Sequence, residues 1–409
     1  MDHSSTLAQV RSRRPVAEHQ ACIRSIIPMR PCSLVPLAVA EGRVLAADVI
    51  AACPVPAFDN SAVDGYAVAS ADLATAGPQS PAALPVLTDI PAGCGDGPPL
   101  RRGAAHRIMT GAPVPPGADA VVPVELTDRG LRYVSVTAGA AAGANIRRRG
   151  EDIQPGTTAL QAGTVLRAAQ LGLLSALGQR HVPVRPPLRV LLVSTGSELT
   201  APGAIPGAGQ VRDANSIMLA AAVRCCGAMV QQSHVVRDDA AELLHVIERA
   251  APDIDVILTS GGISAGAYEV VKEALAPRGI EFTQVAMQPG SPQGAGVFGG
   301  IPVVTLPGNP VSALVSFEVL VRPALRAAMG FNPPTRHTAI WALSKPVDSR
   351  CGLHQFRLGV PEPDGTLTVL SGHQAHFLSA AARSSWLLEI PPEITHLPAG
   401  ACCAAWCLD

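Results

Sequence analysis

The chain has 409 residues, too many for one ordinary hydrophobic core, so we expect roughly three or four domains. Hydrophobic residues make up 48% and charged residues 15%, a balance that indicates a globular rather than a disordered protein. The net charge of -1, without a long basic run, argues against nucleic acid as the main partner. No apolar stretch approaches the ~20 residues that span a membrane, and the first residues lack the apolar core of a signal peptide, so we predict a cytoplasmic protein.

The first half of the chain changes its pattern twice. An amphipathic helix is predicted at 16–28 and ends at Pro28. A stretch rich in strands, proline and glycine follows at about 45–145, and a helical pattern returns at 159–178. This order predicts one domain inserted within another. We place a discontinuous helical and extended linking domain at 16–50 and 145–185, and an inserted strand-rich domain at 51–144.

The second half begins with a regular alternation. From residue 188, mostly apolar strands alternate with helices, which predicts a parallel sheet covered on both faces, in a doubly wound α/β domain. We place this domain at 186–328 and expect residues 1–15 to pack on it. Short strand runs and turns at 329–409 predict a small C-terminal β domain of barrel-like character.

Three strand ends of the α/β domain carry small polar loops, at 194–198, 259–266 and 306–312. Because the carboxyl ends of parallel strands meet at one edge, all three loops should lie together. Glycines allow backbone N–H groups to approach an anion, so the loops indicate a ligand that bears phosphate. They do not match G-x-x-x-x-G-K-[ST], which excludes the phosphate loop of common ATPases.

Acidic residues recur near these loops and in the inserted domain. The candidates are Asp59, Asp64, Glu151, Asp152, Glu198 and Glu269. Each could be a turn or cap residue. Together they could instead hold Mg²⁺, which accepts one or two carboxylates together with phosphate oxygens and waters.

Six segments occur in the order seen in a known family: FDNSAVDGYAV, RIMTGAPVPPGADAVVPVE, IRRRGEDI, VSTGSEL, TSGGISAG and LPGNPVSA. With them the chain resembles the molybdopterin molybdenumtransferases, the family of bacterial MoeA and the gephyrin E domain. The resemblance runs from about residue 16 to SGHQAHFLSAAARSSWLLEIP near the end of the chain.

The resemblance implies the activity and the partners. It implies Mg²⁺-dependent insertion of molybdate into adenylylated molybdopterin, with release of AMP. It implies a homodimer of four-domain subunits, in which the α/β domain of one subunit and the inserted domain of its partner form the active site. Molybdopterin adenylyltransferase and acceptor molybdoenzymes are the protein partners to expect, and neither nucleic acid nor a membrane is involved.

The resemblance, together with the three loops, implies which residues form the site. The catalytic set is Asp59, Thr110, Asp152 and Glu198. The metal ligands are Asp59, Glu198 and Glu269. The cofactor-binding set is Thr195, Gly196, Asp213, Asn215, Gly261, Gly262, Ser264, Gly290, Ser291, Pro307, Gly308, Asn309, Pro310 and Ser312.

The chain departs from the family pattern at three of its residues. Gln288 and Ser291 stand where the family often has lysines, and Glu269 stands where it has aspartate. The missing cations predict weaker anion binding unless Arg212 or Arg237 compensates. They also leave open a catalytically weakened paralogue that acts as a molybdopterin-binding scaffold. A molybdopterin adenylyltransferase is a third alternative, but such an enzyme resembles only the α/β part.

Overall fold

The computed structural model describes residues 13–95, 97–263, 269–370 and 376–409. They form two compact units. The large unit comprises the chain up to Val35, Gly42–Ala46 and Pro183–Asp409, and the small unit comprises Pro36–Glu41 and Ala47–Val182. Within the described ranges, every helix is too short or too polar to cross a membrane.

The described residues begin in the large unit, where Arg14 lies parallel to Val285 and its backbone N–H donates to the carbonyl oxygen of Gln284 at 2.8 Å. Residues 1–12, which we also expected to pack here, lie outside the described residues. Helix α1 (Val16–Ile26) confirms the first predicted helix and ends two residues before Pro28. It ends there because a residue before proline is pushed out of the helical region, and Ile27 is indeed extended. Two short strands follow, β1 (Ser33–Pro36) and β2 (Val44–Leu45).

A five-stranded sheet forms the core of the small unit. The elements of this part of the chain are β3 (Val49–Ile50), β4 (Asn60–Ser61), β5 (Gly65–Val68), β6 (Ala82–Ile90), β7 (Ala105–Ile108), β8 (Ala120–Pro123), β9 (Tyr133–Val136), β10 (Ile146–Arg147), β11 (Thr158–Leu160) and helix α2 (Ala168–Ala176). The sheet order is β8-β5-β7-β6-β9. Tyr66, Leu73 and Val134 fill its core. These strands confirm that the stretch at about 45–145 is rich in strands.

The large unit contains a six-stranded sheet in the order β16-β13-β17-β21-β20-β18. Its part of the chain contains β12 (His181–Arg185), β13 (Arg189–Thr195), β14 (Leu199–Thr200), β15 (Val211–Arg212), α3 (Asn215–Cys225), β16 (Met229–Val236), α4 (Ala240–Ala250), β17 (Val256–Ser260), α5 (Val270–Leu275), β18 (Ile280–Gln284), β19 (Met287–Gln288), β20 (Pro292–Phe298) and β21 (Ile301–Leu306). Strands β16, β13, β17 and β21 run parallel, as predicted.

The prediction of an all-parallel sheet is wrong at β20, which runs antiparallel to both β21 and β18. This strand was not predicted from the sequence. Phe298 pairs with Ile301 across Gly299 and Gly300, which both have positive φ. Gly-Gly between two strands is a signal for a two-residue hairpin turn, and such a turn reverses the chain.

Helical structure follows β21. It consists of helix α6 (Pro310–Ser316), a π-helical turn (Phe317–Val321) and helix α7 (Arg322–Ala328). The π-helical turn directly precedes Arg322-Pro323. The regular hydrogen bonding is interrupted there because proline has no N–H to donate.

The chain ends in a second sheet of the large unit. Its elements are β22 (Thr338–Ala342), β23 (Val347–Asp348), β24 (His354–Pro361), β25 (Leu367–Val369), α8 (Leu378–Ala381), β26 (Trp386–Ile390), β27 (His396–Leu397) and β28 (Cys402–Cys407). The order is β19-β24-β26-β28-β22, so β19 comes from the α/β part of the chain and pairs with β24.

Candidate active site

The three predicted loops meet at one edge of the sheet, around a cavity of about 590 Å³ in the large unit. Gly196, Gly262 and Gly308 each line it, which confirms that the loops share an edge. Twelve residues of the assigned set lie in its wall: Thr195, Gly196, Glu198, Asn215, Gly261, Gly262, Glu269, Gly290, Pro307, Gly308, Asn309 and Ser312.

The glycines let the loops touch each other. A Cβ atom on Gly261 would lie 2.5 Å from the carbonyl oxygen of Thr195, and one on Gly308 would lie 3.4 Å from Gly261 Cα. The N–H groups of Gly196 and Gly261 already donate to the carbonyls of Val236 and Leu306, both at 3.1 Å. These two N–H groups are therefore not offered to an anion as we expected, and Gly261 is needed for the close packing of the first two loops.

Asn215, the first residue of α3, joins two of the loops. Its side-chain nitrogen donates to Ser260 Oγ at 2.7 Å and to the carbonyl oxygen of Gly308 at 2.8 Å. The remaining amide oxygen, Oδ1, is buried and has no protein partner among the described residues, and the same holds for Thr195 Oγ1. Both residues line the cavity, and buried polar atoms normally have partners. The site is therefore suited to a ligand with both donors and acceptors.

Among the residues that the structure describes, three carboxylates line the cavity: Glu198, Asp238 and Glu269. Glu198 folds back over the first loop, since a Cβ on Gly196 would lie 2.7 Å from its Oε1. Among the described residues, no three His, Cys, Asp or Glu side chains are grouped as a ready-made metal site. Mg²⁺ needs only one or two carboxylates when phosphate oxygens and water supply the rest, so this donor set suits it.

Asp238 is a residue that the site assignment missed. Two adjacent aspartates, Asp238 and Asp239, precede α4, and either has the chemistry to cap it. The structure assigns the cap to Asp239, which accepts from the N–H groups of Ala241 and Glu242. Asp238 Oδ2 accepts from the N–H of Ser197 at 2.9 Å, and the N–H of Asp238 donates to Ser197 Oγ at 3.1 Å. Its position after β16, at the same edge as the loops, was the available signal.

Three of the described binding residues are not in the wall of this cavity. Asp213 is buried, with Oδ1 accepting from the N–H of Ser216 at 3.1 Å. Pro310 begins α6. Ser291 Oγ lies 2.7 Å from the carbonyl oxygen of Val285, to which it donates. Ser264 lies outside the described residues.

The small unit holds the rest of the assigned catalytic set. Pairing of β10 with β4 sets Arg147 opposite Asn60 and so brings Asp59 to the next two residues, Arg148 and Arg149. Asp59 accepts from the N–H of Arg149 and from Arg148 Nη1, both at 2.7 Å. The N–H of Arg149 and then the guanidinium of Arg148 lower the pKa of Asp59, which keeps the carboxylate ionised.

Thr110 is paired with an acid that the assignment left out. Its N–H and its Oγ1 both donate to Asp64 Oδ1 at 2.7 Å, and these two bonds lower the pKa of Asp64. The segments meet because Asn60 bridges to Pro113 and the N–H of Gly111 donates to the carbonyl of Ser61. Asp152 is exposed, and its backbone N–H donates to the carbonyl oxygen of Val55 at 3.1 Å.

Comparisons with known families cover both halves of the chain. Residues 14–178 match the family model described as the MoeA N-terminal region (domain I and II). Residues 191–327 match the model described as a probable molybdopterin binding domain.

Relatives match over nearly the whole length. Molybdopterin molybdenumtransferase 2 of Mycobacterium tuberculosis (strain H37Rv) is 48% identical, over 96% of this chain and 99% of its own. Molybdopterin molybdenumtransferase 1 of the same strain is 39% identical, over 92% of this chain and 95% of its own. The crystal structure of a molybdopterin biosynthesis MoeA protein from Pyrococcus horikoshii superposes with a TM-score of 0.81 at 29% identity, over 97% of this chain and 100% of that one. The protein thus has a MoeA-like multidomain α/β fold, and it belongs to the molybdopterin molybdenumtransferase family.

Proposed function

We propose that this protein inserts molybdate into adenylylated molybdopterin, with release of AMP, in a reaction that depends on Mg²⁺. The observation that carries the proposal is the cavity at the three loops, where Thr195 Oγ1 and Asn215 Oδ1 have no partner among the residues that the structure describes and carboxylates lie nearby. Asn215 Oδ1 would accept from a pterin N–H, and Thr195 Oγ1 would donate to a phosphate oxygen. The names of the relatives support the same reaction.

Glu198 and Glu269 are the residues of this cavity that would hold Mg²⁺, and Asp59 of the small unit is the further assigned ligand. The bound ion would offset negative charge on the phosphate bond that breaks when AMP leaves. Asn309 accepts from the N–H of Ser312 at 3.1 Å and so fixes the third loop against which the substrate would bind. Thr110 and Asp152 remain proposed catalytic residues.

The direct test is AMP release from adenylylated molybdopterin by the purified chain, with and without molybdate and with Mg²⁺ or EDTA. Release that needs both molybdate and Mg²⁺ supports the proposal. A protein that binds the substrate but releases no AMP would instead be the scaffold paralogue. The cavity favours this alternative in one respect, because the described residues that line it include no Lys, Arg or His. Formation of adenylylated molybdopterin from ATP would indicate the adenylyltransferase alternative.

We further propose a homodimer of four-domain subunits, with the domain boundaries predicted from the sequence and a cytoplasmic location. Its active site would combine residues of both subunits, as the family resemblance implies. Mixing Asp59→Ala chains with Glu198→Ala chains tests this, because about half of randomly mixed dimers would carry one intact composite site. Each variant alone is the control. No recovery of AMP release in verified heterodimers would contradict the shared site.

A further inference from the structure

A second cavity adjoins the candidate active site. It has a volume of about 630 Å³ and shares Gly196 and Leu199 with the first cavity. Its polar wall is formed by Ser197, Gln210 and Arg237. The two cavities therefore border the same part of the first loop.

The two cavities differ in charge. The described residues that line the active-site cavity include three carboxylates and no cationic side chain, although the proposed ligands are anions. Among the described residues that line the second cavity, only Arg237 has a charged side chain. Attraction between a guanidinium and an oxyanion is geometrically specific as well as strong, because its N–H groups match pairs of oxygens.

Arg237 is also available for binding. It follows the last residue of β16 and is exposed. Its side chain forms no ion pair and no hydrogen bond with the residues that the structure describes. The carboxylate of neighbouring Asp238 accepts from the N–H of Ser197. Arg212, the other candidate to compensate for the missing lysines, donates from Nε to the carbonyl oxygen of Ala204 at 3.0 Å and lines neither cavity.

We propose that Arg237 and the second cavity form an oxyanion subsite that holds a tetrahedral anion of the reaction. The anion is molybdate or the phosphate of the released nucleotide, which share the same charge and shape. This inference rests on the proposed function for the identity of the anion. Ser197 Oγ and the side-chain amide of Gln210 line the same space and supply further donors.

The test is isothermal titration of the full-length protein with AMP and, separately, with sodium molybdate, both with Mg²⁺ present. Arg237→Ala should weaken binding of at least one anion about fivefold or more, and the anion affected identifies the occupant. Arg237→Lys should recover part of the loss. Arg224→Ala is the matched control, because it removes one exposed arginine at the far end of α3 and should change neither affinity more than about twofold.

Three results would overturn the subsite. They are unchanged binding of both anions by Arg237→Ala, equal weakening by Arg224→Ala, and a wild-type protein that binds neither anion. Failure of the proposed function looks different. A wild-type protein that binds an oxyanion through Arg237 but releases no AMP from adenylylated molybdopterin keeps the subsite and loses the reaction.

Discussion

Asn215 donates a hydrogen bond from its side chain to the carbonyl oxygen of Gly308 across 2.8 Å, so the start of α3 holds a loop 93 residues further along the chain. The same nitrogen reaches Ser260 Oγ at 2.7 Å, and Asn215 is only 8% exposed. One side chain therefore fixes the second and third loops of the candidate active site relative to each other.

Asn215→Ala should destabilise the large unit and weaken substrate binding. It leaves the carbonyl of Gly308 and the buried Ser260 Oγ without this donor, and an unpaired buried polar group typically costs about 1–3 kcal/mol. Asn215→Asp should be at least as damaging, because a carboxylate beside the carbonyl oxygen cannot donate. Thermal unfolding and AMP titration measure the two effects. Ile217→Ala, on the exposed face of the same helix, is the control, and an Asn215→Ala protein as stable as this control would contradict the prediction.

Gly261→Ala should impair the protein more than Gly279→Ala. Both glycines have positive φ, +97° and +92°, so both substitutions carry a similar backbone strain of about 1–2 kcal/mol. At Gly279 the nearest atom to the new Cβ is 3.7 Å away, whereas at Gly261 it is the backbone oxygen of Thr195 at 2.5 Å. Backbone cannot rotate away as a side chain can. The two unfolding temperatures and the molybdate affinities test this, and equal losses would show that φ alone is responsible.

The shared edge of the three loops could be predicted because it follows from local pattern. Buried strands that alternate with helices place each following loop at the same edge, and Gly196, Gly262 and Gly308 meet there. Their physical role could not be predicted. The contact of Gly261 with the carbonyl of Thr195 depends on strands β13 and β17 being neighbours, which the sequence did not specify.

The role of Asp238 could not be predicted from the sequence. Two adjacent aspartates precede α4, and either has the right chemistry to cap it. The hydrogen bond between Asp238 and Ser197, 41 residues earlier in the chain, shows that Asp238 faces the cavity and leaves Asp239 as the cap. Strand β20 differs, since Gly299-Gly300 was a local hairpin signal that the sequence did contain.

The small unit should lose heat stability as the pH falls below about 4, in part through Asp59. The pKa of Asp59 is lowered by the N–H of Arg149 and by Arg148, so its stabilising contribution is present above the unfolded-state pKa and disappears as the pH falls through the folded value. Thermal unfolding of wild type and Asp59→Asn between pH 3 and pH 7 measures this. The variant should be less stable at pH 7, and the difference should shrink towards pH 3. A difference that stays constant with pH would mean that Asp59 ionisation does not contribute.

Ser291→Lys should not improve molybdate binding, although the family often has lysine at this position. Ser291 Oγ donates to the carbonyl oxygen of Val285 at 2.7 Å and accepts from Arg13 Nη1 at 3.3 Å. A lysine would lose both hydrogen bonds and place its ammonium beside the Arg13 guanidinium, a like-charge contact that costs on the order of 1 kcal/mol where solvent is near. We expect a lower unfolding temperature and an unchanged molybdate concentration for half-maximal AMP release. Arg13→Ala combined with Ser291→Lys should recover stability, because the repulsion is gone. A clear fall in the half-maximal molybdate concentration of Ser291→Lys would show instead that the wild-type site lacks positive charge and that Arg237 does not supply it.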